Sequence, residues 1–305
     1  MKILLTGSSG FIGSHLIKEL KRKNIPFSTL SLRGVSEKYP ENKRLIQGHL
    51  LNTDVVIHLA GLAHQKGKIN ADLNLFSSIN TYKTEFLAKE ALKAGVKRFV
   101  FLSSIAVYGI LDSQKALDEN TICKPKNAYG ISKFSAEKRL NLLSRNNSMK
   151  IYIIRPPIVY GPKDKGNFLR LLQIIKFCYL LPFRALKNKR SLIFIGNLVD
   201  ALITVALSQN VRPGVYLVSD NESLAVNDLI HKIGMAMNKK IILFFVPVAF
   251  LNFISRFFFK HNELQKITGN LEINSSKFKI NFNWKATYTF DAALKKTINW
   301  FSKNG

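Results

Sequence analysis

The sequence predicts an α/β fold, a doubly wound parallel sheet with a smaller, mainly C-terminal lobe. In the first half of the chain, short apolar runs alternate with segments whose apolar residues recur at helical spacing. The runs are continuously apolar, as in strands that are buried on both faces. A glycine-rich turn also joins the first strand to the first helix. Together these three observations favour a parallel sheet covered by helices on both sides.

The predicted elements follow a regular order up to about residue 154. Strands are expected at residues 2–6, 27–32, 55–59, 98–102 and 151–154, with a later strand at 215–218. Helices are expected at residues 11–23, 77–94, 128–145, 167–177, 198–207, 226–237 and 290–301. We therefore assign residues 1–160 to the sheet domain and 161–305 mainly to the second lobe, and we expect the chain to cross between the lobes.

The bulk composition is that of a large folded protein. The chain has 305 residues, of which 47% are apolar, and this is enough for a substantial core. Its two cysteines, Cys123 and Cys178, are far apart and have no metal-ligand spacing, so neither a metal site nor a disulfide framework is expected. The first apolar run is short and leads directly into the glycine turn, which predicts a strand rather than a secretory signal. These features favour a cytoplasmic protein.

The formal net charge of +27 favours anionic partners. Because the basic residues are scattered and no aromatic-and-basic module is visible, we interpret most of them as solvated surface and expect no nucleic-acid partner. Weak peripheral contact with the inner face of a membrane stays open. Residues 241–259 are apolar and almost as long as the roughly 20 residues of a span. Pro247, Asn252 and Arg256 interrupt them, which favours a strand followed by a buried amphipathic helix.

The glycine turn, TGSSGFIG at residues 6–13, is the first candidate site. Glycines at positions 7, 10 and 13 allow a tight turn and let a pyrophosphate approach amides at a helix N-terminus. We predict that Gly7, Gly10, Phe11, Ile12 and Gly13 contact a dinucleotide cofactor. The strand-turn-helix context makes the motif more specific than the glycines alone.

The spacing of this loop resembles that of extended short-chain dehydrogenases, a nicotinamide-dependent family with the Rossmann fold. The run DVVIHLAG at residues 54–61 is similar to the family's strand that ends beside the cofactor riboses. The resemblance implies that Leu59, Ala60 and Gly61 lie at the cofactor and that Asn80 is on a helix facing it. It also implies a structural role for His58.

A second motif, Tyr129 and Lys133, has the i,i+4 spacing that places two side chains on one helix face. An ammonium about 4 Å away lowers a phenol's pKa by roughly three units, which makes a phenolate base feasible. Upstream, LSSIAVYG at residues 102–109 resembles the family's SSxxVYG element. By this resemblance Ser104 hydrogen-bonds the substrate oxygen, with Ser103 as the near alternative. Tyr129 would transfer the proton, while Lys133 would tune its pKa and bind ribose.

The cofactor is NAD by resemblance, but the second strand leaves NADP open. NAD enzymes usually place an acid at the end of this strand, to bind the ribose 2′-hydroxyl. This chain has Ser31 and Arg33 there. Arg33 could accept a 2′-phosphate or could simply point to solvent.

The substrate half resembles nucleotide-sugar enzymes. The segment RPPIVYGP at residues 155–162 is similar to the family's RPxxVYGP, and the resemblance implies that Asn167 contacts the nucleotide and Arg190 the substrate diphosphate. The similarity runs from residue 1 to about residue 206. It is greatest to the UDP-glucose 4-epimerase-like enzymes of bacterial surface-polysaccharide synthesis, which implies a UDP-sugar substrate and allows a homodimer.

Two enzyme activities remain at this stage. The first is 4-epimerisation of a UDP-hexose or UDP-N-acetylhexosamine, and the alternative is NADPH-dependent reduction of a UDP-6-deoxy-4-keto-hexosamine. Overall resemblance favours the first, whereas Ser31 and Arg33 favour the second. A 4,6-dehydratase is disfavoured because Ile105 and Ala106 follow Ser104 where that chemistry adds an acidic pair. A cofactor-sensing regulator without chemistry is disfavoured by the intact Ser104, Tyr129 and Lys133.

Overall fold

The structure, a computed structural model, describes residues 1–35, 40–63, 72–145, 147–220, 222–247 and 269–304. The strands are β1 (Ile3–Thr6), β2 (Phe27–Leu30), β3 (Val55–His58), β4 (Arg98–Leu102), β5 (Lys150–Arg155), β6 (Ile158–Tyr160), β7 (Leu180–Leu181), β8 (Lys189–Phe194), β9 (Gly214–Leu217), β10 (Ser223–Ala225) and β11 (Ile242–Leu243). The α-helices are α1 (Phe11–Arg22), α2 (Pro40–Leu50), α3 (Leu73–Phe76), α4 (Lys83–Lys93), α5 (Ala128–Ser144), α6 (Asn167–Phe177), α7 (Ile195–Leu207), α8 (Val226–Ala236), α9 (Ser276–Asn281) and α10 (Phe290–Asn304). A π-helical turn, Ser77–Tyr82, joins α3 to α4, and a 3-10 helix, Ile105–Tyr108, follows β4.

The central sheet has six parallel strands in the order β2-β1-β3-β4-β5-β9. The chain passes from β1 to β2 on one side and then crosses to β3 on the other side, so the strand order reverses beside β1. In doubly wound sheets, ligands bind in the crevice beyond the carboxyl ends of the strands at this reversal. Thr6 pairs with His58 in register, so the turn after β1 and the loop after β3 leave the sheet side by side.

The core consists of two apolar layers, one on each face of this sheet. Ile3 and Leu5 of β1 belong to the layer that includes Leu16 of α1 and the buried face of α7. Leu4, between them, belongs to the opposite layer with Phe99 and residues of α4 and α5. Burial on both faces explains why the strands are continuously apolar. The predicted doubly wound parallel sheet is confirmed.

The second half of the chain builds two small sheets and also returns to the large one. β8 pairs antiparallel with β10 and parallel with β6, and β7 pairs with β11. Although it follows residue 160, α7 packs on α1, and β9 extends the six-stranded sheet beside β5. The chain therefore passes between the two parts of the fold more than once. The boundary at residue 160 remains a prediction.

Some predicted elements differ from those observed. The second strand ends at Leu30 rather than at residue 32, and helix α2 was not predicted. The helix expected from residue 77 begins at Leu73 and contains the π-helical turn. Within the described ranges, no helix is long and apolar enough to cross a membrane. Residues 248–259 of the apolar segment lie outside those ranges.

Candidate active site

The glycine turn leaves space that side chains would fill. Gly7 has a φ of +73°, and a Cβ added to it would lie 2.6 Å from the amide nitrogen of Ala60. A Cβ added to Gly13 would lie 2.2 Å from the carbonyl oxygen of Gly7. Gly10 precedes the first residue of α1 and provides no capping side chain. The turn therefore fits closely between β3 and α1, and the amides at the start of the helix face the crevice at the strand reversal.

Gly61, in the loop after β3, lies between two other predicted site residues. A Cβ added there would be 3.1 Å from Oδ1 of Asn80 and 3.2 Å from Nζ of Lys133. Asn80 is fully buried in the π-helical turn, and such turns are frequent at functional sites. Its Oδ1 accepts from the Leu62 amide at 2.6 Å, and its Nδ2 donates to Ser132 Oγ at 3.0 Å. Asn80 thus fastens the loop after β3 to helix α5.

His58 is part of a buried hydrogen-bond chain. Its Nε2 lies 2.8 Å from Thr84 Oγ1, which itself donates to the carbonyl oxygen of Asn80, so Nε2 carries the proton. Its Nδ1 accepts from Thr6 Oγ1 at 2.6 Å, and Thr6 Oγ1 accepts from the amide of Ala60. Burial lowers the pKa of His58 to about 3, and the charge of Lys133 adds to the effect. This neutral histidine holds the strand ends together and is not a base, in agreement with the prediction.

Ser104 and Tyr129 lie near each other, because the 3-10 helix after β4 packs on α5. Ser104 follows β4 and caps the 3-10 helix, where its Oγ accepts from the amide of Ala106 at 3.1 Å. Tyr129 lies in the first turn of α5, which Asn127 caps by accepting from the Gly130 amide at 2.7 Å. Burial raises the pKa of Tyr129, and the Ser104 hydroxyl acts in the opposite direction. Tyr129 therefore needs a nearby positive charge that lowers its pKa before it can act as a base near neutrality.

Lys133, one helical turn after Tyr129, carries a positive charge. It is buried, and its Nζ donates to the carbonyl oxygen of Leu102 at 2.8 Å. The ammonium also lies 4.6 Å from the centre of the Phe101 ring. Burial lowers the pKa of Lys133 to about 8, while Glu137 acts to raise it. The side chain thus stays cationic at neutral pH and reaches the ends of β3 and β4.

A buried network behind this group engages the other serine, Ser103. Ser103 Oγ donates to Glu137 Oε1 at 2.5 Å, so its hydroxyl is engaged away from Tyr129. Glu137 also receives two hydrogen bonds from Arg155, and Arg155 donates to the hydroxyl of Tyr108 at 2.8 Å. Sequence reasoning missed this network. The available signal was an arginine at the end of a buried strand, which requires an acidic partner.

The comparisons with known proteins agree with this geometry. Residues 3–219, more than half of the chain, match the NAD-dependent epimerase/dehydratase family. The chain belongs to this family. It is 34% identical to a UDP-glucose 4-epimerase of Vibrio cholerae, covering 98% of this chain and 95% of that protein.

Two further relatives extend the comparison. The chain is 30% identical to an N-acetyl-alpha-D-glucosaminyl-diphospho-ditrans,octacis-undecaprenol 4-epimerase of Escherichia coli O157:H7, over 95% of this chain and 87% of that one. A solved UDP-glucuronic acid 4-epimerase from Bacillus cereus, in complex with NAD, has a TM-score of 0.76 at 20% identity, covering 99% of both chains. At that identity the likeness shows a common fold.

The cofactor of the epimerase/dehydratase family fits the glycine turn. The absence of Cβ atoms at Gly7 and Gly13 brings backbone rather than side chains to the crevice. Arg33 is exposed beyond the end of β2, and Ser31 beside it is exposed too. Within the described ranges, no hydrogen bond joins Arg33 to the glycine turn, and its amide donates to Ser31 Oγ. Family membership therefore favours NAD, and a role of Arg33 with a 2′-phosphate stays a prediction.

The two predicted substrate residues lie in the second lobe. Asn167 is exposed as the first residue of α6. Arg190, in β8, is half-buried and donates to the carbonyl oxygen of Gly269 at 2.8 Å. Burial lowers the pKa of Arg190 to about 10, and Asp112 acts against this shift. Neither residue contacts Ser104, Tyr129 or Lys133 among the described interactions, so their roles at a substrate stay predictions.

Proposed function

We propose that this protein is an NAD-dependent 4-epimerase of a UDP-hexose or UDP-N-acetylhexosamine. The observation that carries the proposal is the placement of Tyr129 in the first turn of α5, where Ser104 acts to lower its pKa and the buried ammonium of Lys133 lies one helical turn away. This arrangement suits removal and return of a proton at a sugar hydroxyl. The substrate class is supported by the 34% identity to a UDP-glucose 4-epimerase over nearly the whole of both chains.

In the proposed mechanism, Tyr129 takes the proton from the C4 hydroxyl of the sugar and later returns it. Ser104 donates a hydrogen bond to the same oxygen, which stabilises the charge that develops there. In this proposal the charge of Lys133 favours the phenolate of Tyr129, whereas burial raises the pKa of the phenol. The glycine turn and Lys133 would hold NAD, which when bound would supply the acceptor and donor of the C4 hydride.

The chain's own residues also position the cofactor and exclude water. Gly7 and Gly13 admit the pyrophosphate, and Asn80 fixes the loop that carries Gly61 close to Lys133. In this proposal Arg190 binds the diphosphate of the substrate, for which a guanidinium fork is suited. Among the described residues, the guanidinium of Arg190 donates one hydrogen bond, from Nη1 to the Gly269 carbonyl oxygen.

The direct test is incubation of the purified protein with UDP-glucose and, separately, UDP-N-acetylglucosamine. The C4 configuration of the product is read by proton NMR. The proposal expects the C4 epimer to form without net consumption of NAD. Tyr129→Phe should lower kcat by about 10²- to 10⁴-fold while NAD binding persists. Unchanged activity in that variant would exclude the assigned base.

The same samples address the alternative reductase. Oxidation of added NADPH only in the presence of a 4-keto sugar, with no epimerisation of either UDP-sugar, would replace the epimerase by the reductase. The homodimer stays a prediction. Size-exclusion chromatography with light scattering would measure the molar mass of the protein in solution.

A further inference from the structure

An exposed apolar surface lies where α6 ends and the β7–β11 pair begins. We call it the aromatic face and define it by seven side chains that are each at least 40% exposed: Ile174, Phe177, Tyr179, Leu180, Ile242, Phe244 and Phe245. The face is continuous because Leu180 pairs with Ile242 and because the amide of Ile242 donates to the carbonyl oxygen of Tyr179 at 2.7 Å. Leu181, the next residue of β7, is buried and anchors the strand pair to the core.

Aromatic side chains are concentrated on this face. In the part of the chain that the structure describes, five aromatic side chains are exposed, and four of them belong to the aromatic face. Phe177 is 77% exposed. Isolated exposed apolar residues are ordinary, but a contiguous group of this kind marks an interaction surface.

The charge around the aromatic face has one sign. Residues 165–190, which include α6 and β7, contain seven lysines and arginines and no acidic residue. Residues 229–247, which include β11, contain three lysines and no acidic residue. The formal net charge of the whole chain is +27. A partner that covers this face must therefore combine negative charge with an apolar interior.

We propose that the aromatic face docks the protein onto the surface of an anionic phospholipid bilayer. Aromatic and aliphatic side chains would enter the interface between headgroups and acyl chains, and the surrounding basic residues would contact lipid phosphates. Neither attraction is strong alone, and their combination gives reversible peripheral binding. The sequence pointed to residues 241–259 for such a contact. The aromatic face contains only the first residues of that segment, and its other side chains come from the end of α6 and from β7.

The test uses the full chain and does not depend on the proposed enzymatic function. Sedimentation is measured with vesicles of phosphatidylcholine alone and with vesicles in which phosphatidylglycerol replaces part of it. The protein should sediment with the anionic vesicles, and added salt should weaken this binding. The double variant Phe177→Gln/Phe245→Gln should bind them about tenfold more weakly. Ile280→Gln is the matched control, because Ile280 is 76% exposed on α9 and should bind like the wild type.

Three results would overturn the proposal. The first is no sedimentation with anionic vesicles at low salt, and the second is equal binding to both vesicle compositions. The third is a self-association, measured by analytical ultracentrifugation, that the double variant abolishes while vesicle binding is unchanged, because the face would then belong to a second copy of the chain. Circular dichroism of each variant verifies that it is folded.

Discussion

The ammonium of Lys133 donates a hydrogen bond of 2.8 Å to the carbonyl oxygen of Leu102, two residues before Ser104. This contact joins helix α5, which carries the proposed base Tyr129, to the strand end that carries Ser104. Positioning of this kind lowers the entropic cost of bringing reacting groups together. In the proposed mechanism Lys133 therefore has two roles, because the ammonium that would tune Tyr129 also fixes the helix to the sheet.

The two neighbouring serines should respond differently to removal of their hydroxyl groups. Ser104→Ala removes the partner of Tyr129 and should lower kcat by about 10²-fold. Ser103→Ala should leave kcat within about threefold but lower the free energy of unfolding by about 1–3 kcal/mol, because Glu137 loses a buried donor. Steady-state kinetics and urea unfolding of both variants measure this. The reverse pattern would assign the substrate contact to Ser103.

The activity should decline at alkaline pH as Lys133 loses its proton. Burial lowers the pKa of Lys133 to about 8, and Glu137 acts to raise it. The ammonium is present below this pKa and lost above it, so kcat/KM should fall as pH rises through about 8. Glu137→Gln removes the negative charge that raises the pKa of Lys133. The alkaline limb of the kcat/KM profile should therefore move to lower pH.

The pH profile separates this effect from simple loss of structure. Glu137→Gln also leaves Arg155 without its charged partner, which should cost about 3–5 kcal/mol of stability. Glu85→Gln, which removes the ion pairs of Glu85 with Lys89 on α4 and with Arg139 on α5, serves as the control and should keep the wild-type profile. An alkaline limb that does not move in Glu137→Gln would show that Glu137 does not act on Lys133.

The buried His58 should make the protein sensitive to acid. Its folded-state pKa is about 3, below the unfolded value of 6.5, so the unfolded chain binds the proton more readily. Stability is therefore complete above pH 6.5 and falls as the pH decreases toward 3. At pH 5 the loss from this group is about 2 kcal/mol. Urea unfolding of the wild type and of His58→Gln at pH 7 and pH 5 tests it, and equal pH dependence of the two proteins would contradict the prediction.

The glycine turn should tolerate no methyl group at position 13. Gly13→Ala brings Cβ to 2.2 Å from the Gly7 carbonyl oxygen, so the turn must shift. We expect a loss of about 1–3 kcal/mol in stability and about tenfold weaker NAD binding, measured by thermal unfolding and calorimetry. Gly48→Ala on α2 is the control, because its Cβ meets no atom within 4 Å, and it should gain about 0.5–1 kcal/mol. If Gly13→Ala matched this control, the close packing of the turn would be wrong.

Local patterns were enough to predict much of the sheet and part of the site. The continuous apolar runs identified β1, β3 and β4, and the i,i+4 spacing placed Tyr129 and Lys133 on one face of α5. Helix α2 was missed because its sequence, PENKRLIQGHL, has few apolar residues to show helical periodicity. The strand predicted to residue 32 ends earlier because only Phe27–Leu30 pairs with β1.

The contacts that complete the site could not be read from spacing. Glu137 and Arg155 are 18 residues apart on different elements, and they meet because α5 packs on β5. The hydrogen bonds of the Asn80 amide to Leu62 and Ser132 were not predicted, and its place facing the cofactor stays a prediction. These pairings depend on tertiary packing, which no local rule encodes.

In the proposed epimerisation, oxidation at C4 is transient and the same hydrogen returns to the sugar. It is tested most directly with UDP-glucose that carries deuterium at C4, incubated with the purified protein and NAD in ordinary water. If the proposed epimerisation is correct, the C4 epimer retains the deuterium at C4, as read by mass spectrometry and NMR. A product that carries solvent hydrogen at C4, or deuterium that accumulates in free NADH, would contradict it.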